Sequence, residues 1–575
     1  MVKINLKVLC YIFQIMTTLV LVFLVLCKLV AAEEYLDVTI DQGPVRGYKT
    51  SDGVFAFYGI HYATAPTGPQ RFNAPLPPPT WEDTFEATER LIICPQAARG
   101  GGQFMKTVED CLVTNIYVPD TDEKNLPVVV FFHGGAYQYG YGESKEPQKI
   151  VKTKKVIALN FNYRVGPNGF LCLGTKDVPG NAAMKDQVAL LRWVQQNIKY
   201  FGGNPADVTI AGCSAGGSSV DLHLVSKMSR GLFKKAIPES SANLCSYSVQ
   251  PDPIEYAQNY AKLLNFTNVD DIQALEEFYK NVPFSVLNSI NVMENLDSSV
   301  TFVPCIERDL GQEMFLDTDP SYVLKTGAYR KVPMLYGFTD MEGMLRLSFF
   351  PTWKGLMNEN FADFLPENLQ FQSEEEKQRV ARKVKNFYFG NRTVDESTIA
   401  NFVDYITDIT FTHGMLKSAA LQTKAGNNNV YLYEYVFDKS GNLPYNLHGA
   451  NHCDQSMAVL DEANEEDLSA EYKQMKSTMR DLWLNFILTG KPVPAESSYP
   501  QWPPANTNRS PHMVLNTTME LKGKLQPKRA KFWDNIYSKY YRKPIPPTSH
   551  RMCVVLIFYL LIKLSFCKII ILYKV

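Results

Sequence analysis

Residues 207–216 have the sequence Asp-Val-Thr-Ile-Ala-Gly-Cys-Ser-Ala-Gly, and this stretch decides the fold. The apolar, β-branched run that ends at Ala211 predicts a buried strand, and the small residues after Gly216 favour the start of a helix. Ser214 lies at the turn between them, with a glycine two residues away on either side. Glycines fit there because side chains would clash with the crowded backbone of a strained turn. The pattern is typical of a nucleophile elbow, which lifts a serine hydroxyl above a sheet.

Apolar runs within this stretch and on both sides of it predict buried strands. They lie at 126–132, 156–161, 208–211, 332–337 and 430–436. Helical periodicity separates them and is clearest over 181–200, where apolar residues recur at every third or fourth position. Strands that alternate with helices predict an α/β fold, in which a mostly parallel sheet has helices on both faces.

The composition is that of a globular protein. The chain has 575 residues, of which 45% are hydrophobic and 20% are charged, and its formal net charge is −1. A basic excess and long charge runs are both missing from the sequence, so nothing indicates a nucleic-acid partner. The strand and helix pattern continues from residue 33 to about residue 540, and we expect one domain over 33–540.

The N-terminus is typical of a secretory signal peptide. Lys3 and Lys7 precede an apolar stretch over 15–27, and the small residues Ala31 and Ala32 mark a cleavage site. We expect residues 1–32 to be a signal peptide and the protein to be secreted; an uncleaved signal anchor is the alternative. Four glycosylation sequons agree with this route, and they begin at Asn265, Asn391, Asn508 and Asn516.

The C-terminal tail, residues 541–575, is hydrophobic from Met552. Its apolar run ends at Ile562, which makes it shorter than the roughly 20 residues that a helix needs to cross a bilayer. Three interpretations stay open: a cleaved glycolipid-anchor signal, a weak membrane anchor, and a segment outside the functional enzyme. Membrane association through this tail is therefore one of the open alternatives.

The chain contains 11 cysteines, and in an oxidising compartment some of them should pair. Cys94 and Cys111 close a short polar loop that is rich in glycine, and we expect a disulfide there. Such a bond stabilises the fold by about 3 kcal/mol in the chain-entropy model. A second expected pair is Cys245 with Cys305. The count also predicts at least one free thiol.

A reactive serine needs a base, an acid that orients the base, and donors that stabilise an oxyanion. The predicted strand 126–132 leads into a glycine pair, where backbone N–H groups can approach an oxygen without a side chain in the way. We assign Gly134 and Gly135, together with the N–H of Ala215, to an oxyanion hole. An ordinary Gly-Gly turn is the alternative.

The chain order expected after an elbow is serine, then acid, then histidine. His448 and His452 share a loop after the last predicted strand, so either can be the base. Asp340 and Glu342 follow the strand before it, and sites in open α/β sheets lie at the carboxyl ends of strands. The residues alone leave both choices open.

With these motifs in this order, the chain resembles a type-B carboxylesterase of the cholinesterase-like α/β-hydrolase family, and it is most similar to secreted insect carboxylesterases. The resemblance extends from about Tyr35 to Tyr540. The motifs that carry it include Phe57-Tyr58-Gly59-Ile60-His61-Tyr62-Ala63, Glu109-Asp110-Cys111-Leu112, Asn162-Tyr163-Arg164-Val165-Gly166 and Gly202-Gly203-Asn204-Pro205. It implies an α/β-hydrolase fold with a single catalytic domain.

The family pattern then separates the open choices. It favours Glu342, because the family's acid is the glutamate before a glycine, and His452, because the family's histidine lies in a Gly-x-x-His-x-Asp context. Ser240 matches a serine that supports the catalytic residues in the family. The resemblance also implies the Cys94–Cys111 disulfide and two ion pairs, Arg71–Glu109 and Arg164–Asp186.

The chain departs from the family pattern beside the elbow serine. Cys213 stands where the family often has glutamate, and either it packs as a small hydrophobe, which we favour, or it is a reactive thiol. Juvenile hormone esterases usually carry glutamine at this position, so that identity is not favoured. The loop from Cys94 to Cys111 lacks the tryptophan on which cholinesterases stack choline, so a quaternary-ammonium site is unsupported.

The resemblance implies hydrolysis of carboxylic esters through an acyl-enzyme, with Ser214, Glu342 and His452 as the catalytic residues and with no metal or other cofactor. The 33 phenylalanines and 31 tyrosines favour an aromatic, apolar pocket, so we expect the substrate to be a small-molecule hydrophobic ester. The alternatives are a non-catalytic, neuroligin-like adhesion or binding protein and a slow-turnover protein that sequesters esters. Such adhesion relatives lose catalytic residues, whereas this chain keeps all three. The sequence makes no prediction of the oligomeric state.

Overall fold

The structure, a computed structural model, describes residues 13–19, 34–97, 106–290, 294–461 and 465–547. Most of the expected signal peptide and the hydrophobic run from Met552 lie outside these residues. None of the helices in the described ranges combines the length and the hydropathy that a bilayer-spanning helix requires.

The described strands are β1 (Tyr35–Ile40), β2 (Gly43–Lys49), β3 (Val54–His61), β4 (Phe85–Glu86), β5 (Ile92–Ile93), β6 (Lys106–Thr107), β7 (Val113–Pro119), β8 (Leu126–Phe132), β9 (Ile157–Phe161), β10 (Gly203–Cys213), β11 (Lys235–Glu239), β12 (Met334–Thr339), β13 (Val430–Tyr435), β14 (His512–Leu515) and β15 (Met519–Lys522). The central sheet has 13 strands, in the order β1-β2-β3-β7-β9-β8-β10-β11-β12-β13-β14-β15, with β4 beside β2. The seven neighbouring strands from β9 to β14 are parallel to one another. The strands outside them pair antiparallel, except for β4, which pairs parallel with β2.

The described helices are α1 (13–19), α2 (Gln148–Val151), α3 (Gly166–Phe170), α4 (Ala182–Asn197), α5 (Ala215–Val225), α6 (Pro253–Leu263), α7 (Ile272–Asn281), α8 (Phe284–Leu287), α9 (Pro320–Thr326), α10 (Phe350–Glu359), α11 (Glu374–Phe389), α12 (Ile399–Thr407), α13 (His413–Lys424), α14 (Asp454–Val459), α15 (Ala470–Thr489) and α16 (Pro527–Tyr540). The predicted helix over 181–200 is α4, which tightens into a 3-10 turn at Ile198–Phe201. All five predicted strands are present, and β10 is longer than predicted because it begins at Gly203 and passes an irregularity before Val208.

The parallel strands are buried on both faces, which explains their nearly continuous apolar sequences. In β8, Val128 and Val130 belong to one hydrophobic core, whereas Val129 and Phe131 belong to a second core on the opposite face. Helices α4, α5 and α13 pack into the first core, and α15 packs into the second. The prediction of a mostly parallel sheet with helices on both faces is thereby confirmed.

A third core lies among the helices that follow β12. Its members include Phe350 of α10, Phe402 of α12 and Trp533 of α16. Contacts with the domain extend past residue 540, where the sequence predicts the domain to end. The Arg542 N–H donates to the Asn368 carbonyl at 2.9 Å, and the Ile545 N–H donates to the Pro251 carbonyl at 3.0 Å. The first residues of the C-terminal tail are therefore packed against the domain.

Three disulfides join described residues, and one expected pairing was wrong. Cys94 bonds to Cys111 as expected, with the sulfurs 2.01 Å apart. Cys305 bonds to Cys172 and not to Cys245. The free Cys245 is buried, and its thiol donates to the Phe411 carbonyl at 3.2 Å. The third disulfide, Cys213–Cys453, was not anticipated.

Of the two ion pairs that the resemblance implies, one is formed. Arg164 and Asp186 are buried and 2.6 Å apart. Arg71 does not form the expected salt bridge with Glu109, because its guanidinium is turned toward the C-terminal end of α7. There it donates to three backbone carbonyls, those of Tyr279, Lys280 and Val282. Carbonyls at a helix C-terminus lack intrahelical donors and attract a cation, so they replace the carboxylate.

The four asparagines of the sequons lie on the surface. Asn265, Asn391, Asn508 and Asn516 are all exposed, so each is accessible to glycosylation.

Candidate active site

A cavity of about 240 Å³ lies at the carboxyl ends of β8 and β10. Its walls include Gly134, Gly135, Ser214 and His452, which are four of the residues predicted from the sequence. A larger groove of about 810 Å³ lies near Trp193 and contains none of them. Since sites in parallel sheets lie beyond the carboxyl ends of the strands, the smaller cavity is the candidate active site.

Ser214 is at the end of β10, directly before α5, as the elbow pattern predicts. Its backbone has φ 61° and ψ −130°, a conformation that a residue other than glycine adopts only when its surroundings hold it there. A Cβ added to Gly216 would lie 2.1 Å from the Phe132 carbonyl oxygen, and one added to Gly212 would lie 2.8 Å from the same atom. Both glycines are therefore required by the close approach of β8.

The two glycines assigned to the oxyanion hole lie against this elbow. A Cβ on Gly134 would be 2.8 Å from the Cys213 carbonyl oxygen and 3.1 Å from the Ser214 Cβ. Gly135 has φ 108°, and a Cβ there would be 1.9 Å from the Tyr139 carbonyl oxygen. Ala215 is the first residue of α5, where a backbone N–H has no acceptor within the helix.

The histidine before the glycine pair is held rigidly. The His133 ring stacks on Tyr163 with the ring centroids 4.0 Å apart, and its Nδ1 lies 2.8 Å from the Gly134 carbonyl oxygen. Burial lowers the pKa of His133 to about 4, so the ring is neutral near pH 7 and its Nδ1–H donates to that carbonyl. This contact fixes the start of the glycine loop.

Glu342 and His452 are in contact, although 110 residues separate them in the sequence. Glu342 is fully buried at the start of a 3-10 helix after β12, and its Oε2 lies 2.5 Å from His452 Nδ1. The other carboxylate oxygen accepts a hydrogen bond from the Thr339 N–H at 2.8 Å. The carboxylate thus holds the imidazole with a proton on Nδ1.

The alternative acid, Asp340, and the alternative base, His448, lie outside the cavity. Asp340 turns away from the imidazole and accepts a hydrogen bond from the Ala450 N–H at 2.8 Å. The side chain of His448 is 75% exposed and lies beside Asp438. Neither residue lines the cavity.

The second ring nitrogen of His452 has no partner. Its Nε2 is buried and makes no hydrogen bond to any described residue, so the hydrogen bond to Ser214 is not formed in this arrangement. His452 and Ser214 nevertheless line the same cavity, and the imidazole packs on Phe411 with centroids 4.4 Å apart. Catalytic hydrogen bonds of this kind frequently tighten only in the complex with substrate.

Two residues at the C-terminal end of β11 accept hydrogen bonds from the segment that follows His452. Gln455 donates to the Ser240 hydroxyl at 2.6 Å, and Ser456 donates to the carboxylate of Glu239. Ser240 therefore supports the helix after His452. Glu239 was not identified from the sequence, where a carboxylate in a strand gives no sign of its partners. Burial raises its pKa to about 7.

The same loop is joined to the elbow by the Cys213–Cys453 disulfide. Both interpretations of Cys213, a packed small hydrophobe and a reactive thiol, were therefore wrong. A signal was present in the sequence, because one cysteine precedes Ser214 and the other follows His452. In the parts of the chain that the structure describes, no cluster of three or more His, Cys, Asp or Glu side chains is arranged to hold a metal ion.

Known proteins resemble this chain over most of its length. The family model described as "Carboxylesterase family" matches residues 34–533. Esterase FE4 of Myzus persicae is 32% identical over 484 residues, which cover 79% of this chain and 83% of that protein. The juvenile hormone esterase of Heliothis virescens is 32% identical over 513 residues, which cover 84% and 90%. The solved structure of juvenile hormone esterase from Manduca sexta, with OTFP covalently attached, has a TM-score of 0.78 and 27% identity, and the match covers 88% of this chain and 100% of that one.

Proposed function

The chain belongs to the carboxylesterase family and is a carboxylic ester hydrolase with the α/β-hydrolase fold, and we propose that it acts through an acyl-enzyme formed on Ser214. The observation that carries this proposal is the contact between Glu342 and His452 beside the cavity that contains Ser214. The family relatives are esterases, so the alternative of a non-catalytic adhesion protein is not favoured.

The first step is attack of the Ser214 hydroxyl on the ester carbonyl. Because Glu342 keeps a proton on Nδ1 of His452, the lone pair of Nε2 is free to accept the serine proton. The imidazolium that forms is stabilised by the buried carboxylate. The tetrahedral intermediate then collapses, His452 gives the proton to the leaving alcohol, and the acyl group stays on the serine oxygen.

The N–H groups of Gly134, Gly135 and Ala215 stabilise the oxyanion of that intermediate. The small separation between the glycines and the elbow supports this role, because an oxygen bound near Ser214 lies within reach of both elements. One such donor contributes about 3 kcal/mol of transition-state stabilisation. Water then attacks the acyl group by the same route, with His452 as the base, and releases the acid.

The substrate is a small-molecule ester, and the cavity favours an apolar one. Its walls contain Phe131, Leu345, Met457, Leu460 and Trp483. At about 240 Å³ it is smaller than the roughly 300–1,000 Å³ of sites for drug-sized ligands. The enzyme should therefore prefer esters with a compact hydrophobic acyl group.

The enzyme acts outside the cell in this proposal. Three disulfides among the described residues are typical of an oxidising compartment, and a relative of 29% identity is named venom carboxylesterase-6 of Apis mellifera. Removal of residues 1–32 as a signal peptide is a separate part of the proposal, and membrane association through the C-terminal tail stays an alternative to full secretion.

The test is covalent labelling and turnover in a pair of serine variants. With Ser214→Ala, hydrolysis of p-nitrophenyl butyrate should be lost, and an organophosphate should no longer add to the peptide that contains residue 214. The matched control is Ser226→Ala, since the buried hydroxyl of Ser226 makes no hydrogen bond to the described residues and its loss should leave turnover intact. Turnover by Ser214→Ala at the wild-type rate would refute the mechanism.

A further inference from the structure

The Cys213–Cys453 disulfide joins the two elements that carry the proposed nucleophile and base. Cys213 directly precedes Ser214, and Cys453 directly follows His452. The bond spans 240 residues of sequence and holds the two cysteine Cα atoms 6.0 Å apart. Both cysteines are half-buried in the cavity wall, whereas the four cysteines of the other two disulfides are buried.

Two further contacts of the histidine loop lead to β11 and β12. Asp340, after β12, accepts from the Ala450 N–H, and Ser240, after β11, accepts from Gln455. These contacts hold the loop relative to β11 and β12. The disulfide connects it to β10, the strand that presents Ser214.

On each side of the disulfide, one backbone residue has an unfavourable conformation: Cys453 itself, and Ser214, which follows Cys213. Cys453 has φ 67°, and Ser214 has φ 61°. Residues other than glycine stay in this region only when neighbouring contacts hold them there. A covalent bond from one segment to the other supplies such a constraint on both.

We propose that the Cys213–Cys453 disulfide is a positioning element for ester hydrolysis, one that keeps Nε2 of His452 within reach of the Ser214 hydroxyl. The inference rests on the proposed function of these two residues. Proton transfer between them requires a close approach, and a misplacement of about 1 Å lowers a rate by about 100-fold. The loop has contacts to its neighbours without the disulfide, so the fold should persist while the alignment of the two side chains is lost.

The first test is reduction of the folded enzyme with TCEP at a concentration that opens only the Cys213–Cys453 disulfide, which is more accessible than the two buried ones. Alkylation and peptide mass spectrometry identify which cysteines are reduced. We expect kcat for p-nitrophenyl butyrate to fall about 10- to 100-fold with KM changed less than twofold. The rate constant for organophosphate labelling of Ser214 should fall equally, and reoxidation should restore both.

The second test compares two double variants. Cys213→Ala/Cys453→Ala and Cys172→Ala/Cys305→Ala each remove one long-range disulfide, spanning 240 and 133 residues, so both should lower the melting temperature. Only the first should lower kcat. If that variant does not fold, the reduction experiment decides alone.

Equal kcat values in the reduced and oxidised enzyme, or in the two double variants, would overturn this inference. Failure of this positioning role can be distinguished from failure of the acyl-enzyme mechanism. If Ser214→Ala abolishes turnover but loss of the disulfide leaves kcat unchanged, the positioning role is wrong and the acyl-enzyme mechanism stands. If Ser214→Ala keeps turnover, the acyl-enzyme mechanism is wrong, and the positioning role that rests on it is wrong as well.

Discussion

Replacing Glu342 by glutamine isolates the role of the carboxylate with little change in shape. In the wild-type protein one oxygen of Glu342 accepts from the Thr339 N–H at 2.8 Å and the other contacts His452 Nδ1 at 2.5 Å. In Glu342→Gln the amide oxygen must stay opposite the Thr339 N–H, because two donors cannot face each other. The amide NH2 group then faces the imidazole.

The consequence is a change of tautomer. His452 has to accept at Nδ1 and therefore carries its proton on Nε2, where it can no longer take the proton of Ser214. Loss of the orienting carboxylate in a triad of this kind lowers kcat by about 10⁴-fold, which equals about 5.5 kcal/mol of transition-state stabilisation. We expect the same order of loss here, because Glu342 is fully buried and bulk solvent does not reach its carboxylate.

The assay is steady-state hydrolysis of p-nitrophenyl butyrate near neutral pH, with circular dichroism as a check on folding. Asp340→Asn is the matched control, since an asparagine oxygen can still accept from the Ala450 N–H. It should lower kcat less than about tenfold. A kcat of Glu342→Gln within tenfold of wild type, or a larger loss in Asp340→Asn, would refute the assignment of the acid.

Two further changes test the oxyanion loop and the buried His413. Gly135→Ala should lower kcat about 10²- to 10³-fold, because the added Cβ would lie 1.9 Å from the Tyr139 carbonyl oxygen and would displace the loop. Gly355→Ala is the control and should leave kcat unchanged, since a Cβ there meets open space. Equal kcat values in the two variants would contradict the role of the loop. Burial lowers the pKa of His413 from 6.5 to about 3, so its contribution to stability is complete above pH 6.5 and is lost as the pH falls toward 3. In urea unfolding between about pH 4 and pH 6, His413→Phe should therefore remove up to about 1.4 kcal/mol per pH unit from the acid-side slope, and an unchanged slope would show that this pKa is not lowered.

The sheet was predictable because buried parallel strands have a distinctive sequence. Runs such as Leu126 to Phe132 are apolar on both faces, and few other structures require that. The elbow was predictable for a similar reason, since Gly212 and Gly216 are needed wherever a strand turns tightly into a helix beside a neighbouring strand.

Other parts of the site depend on contacts that sequence spacing does not contain. Asp340 and Glu342 are two residues apart in one loop, and only the 3-10 helix after β12 turns the second of them toward His452. The partner of Arg71 is a group of backbone carbonyls, which have no signature in the sequence. Disulfide connectivity likewise depends on the packed fold, so the pairing of Cys305 was wrong.

The alternation of side chains between two cores has a consequence for how this enzyme can diversify. In β10, Ile210 belongs to one core and Ala211 to the other, and Ser214 directly follows the last residue of this strand. Inserting or deleting one residue in this strand would exchange the two faces and turn the hydroxyl away from its partners. The changes that can alter the substrate range while Ser214 keeps its place are therefore substitutions in the cavity wall and longer or shorter loops at its rim.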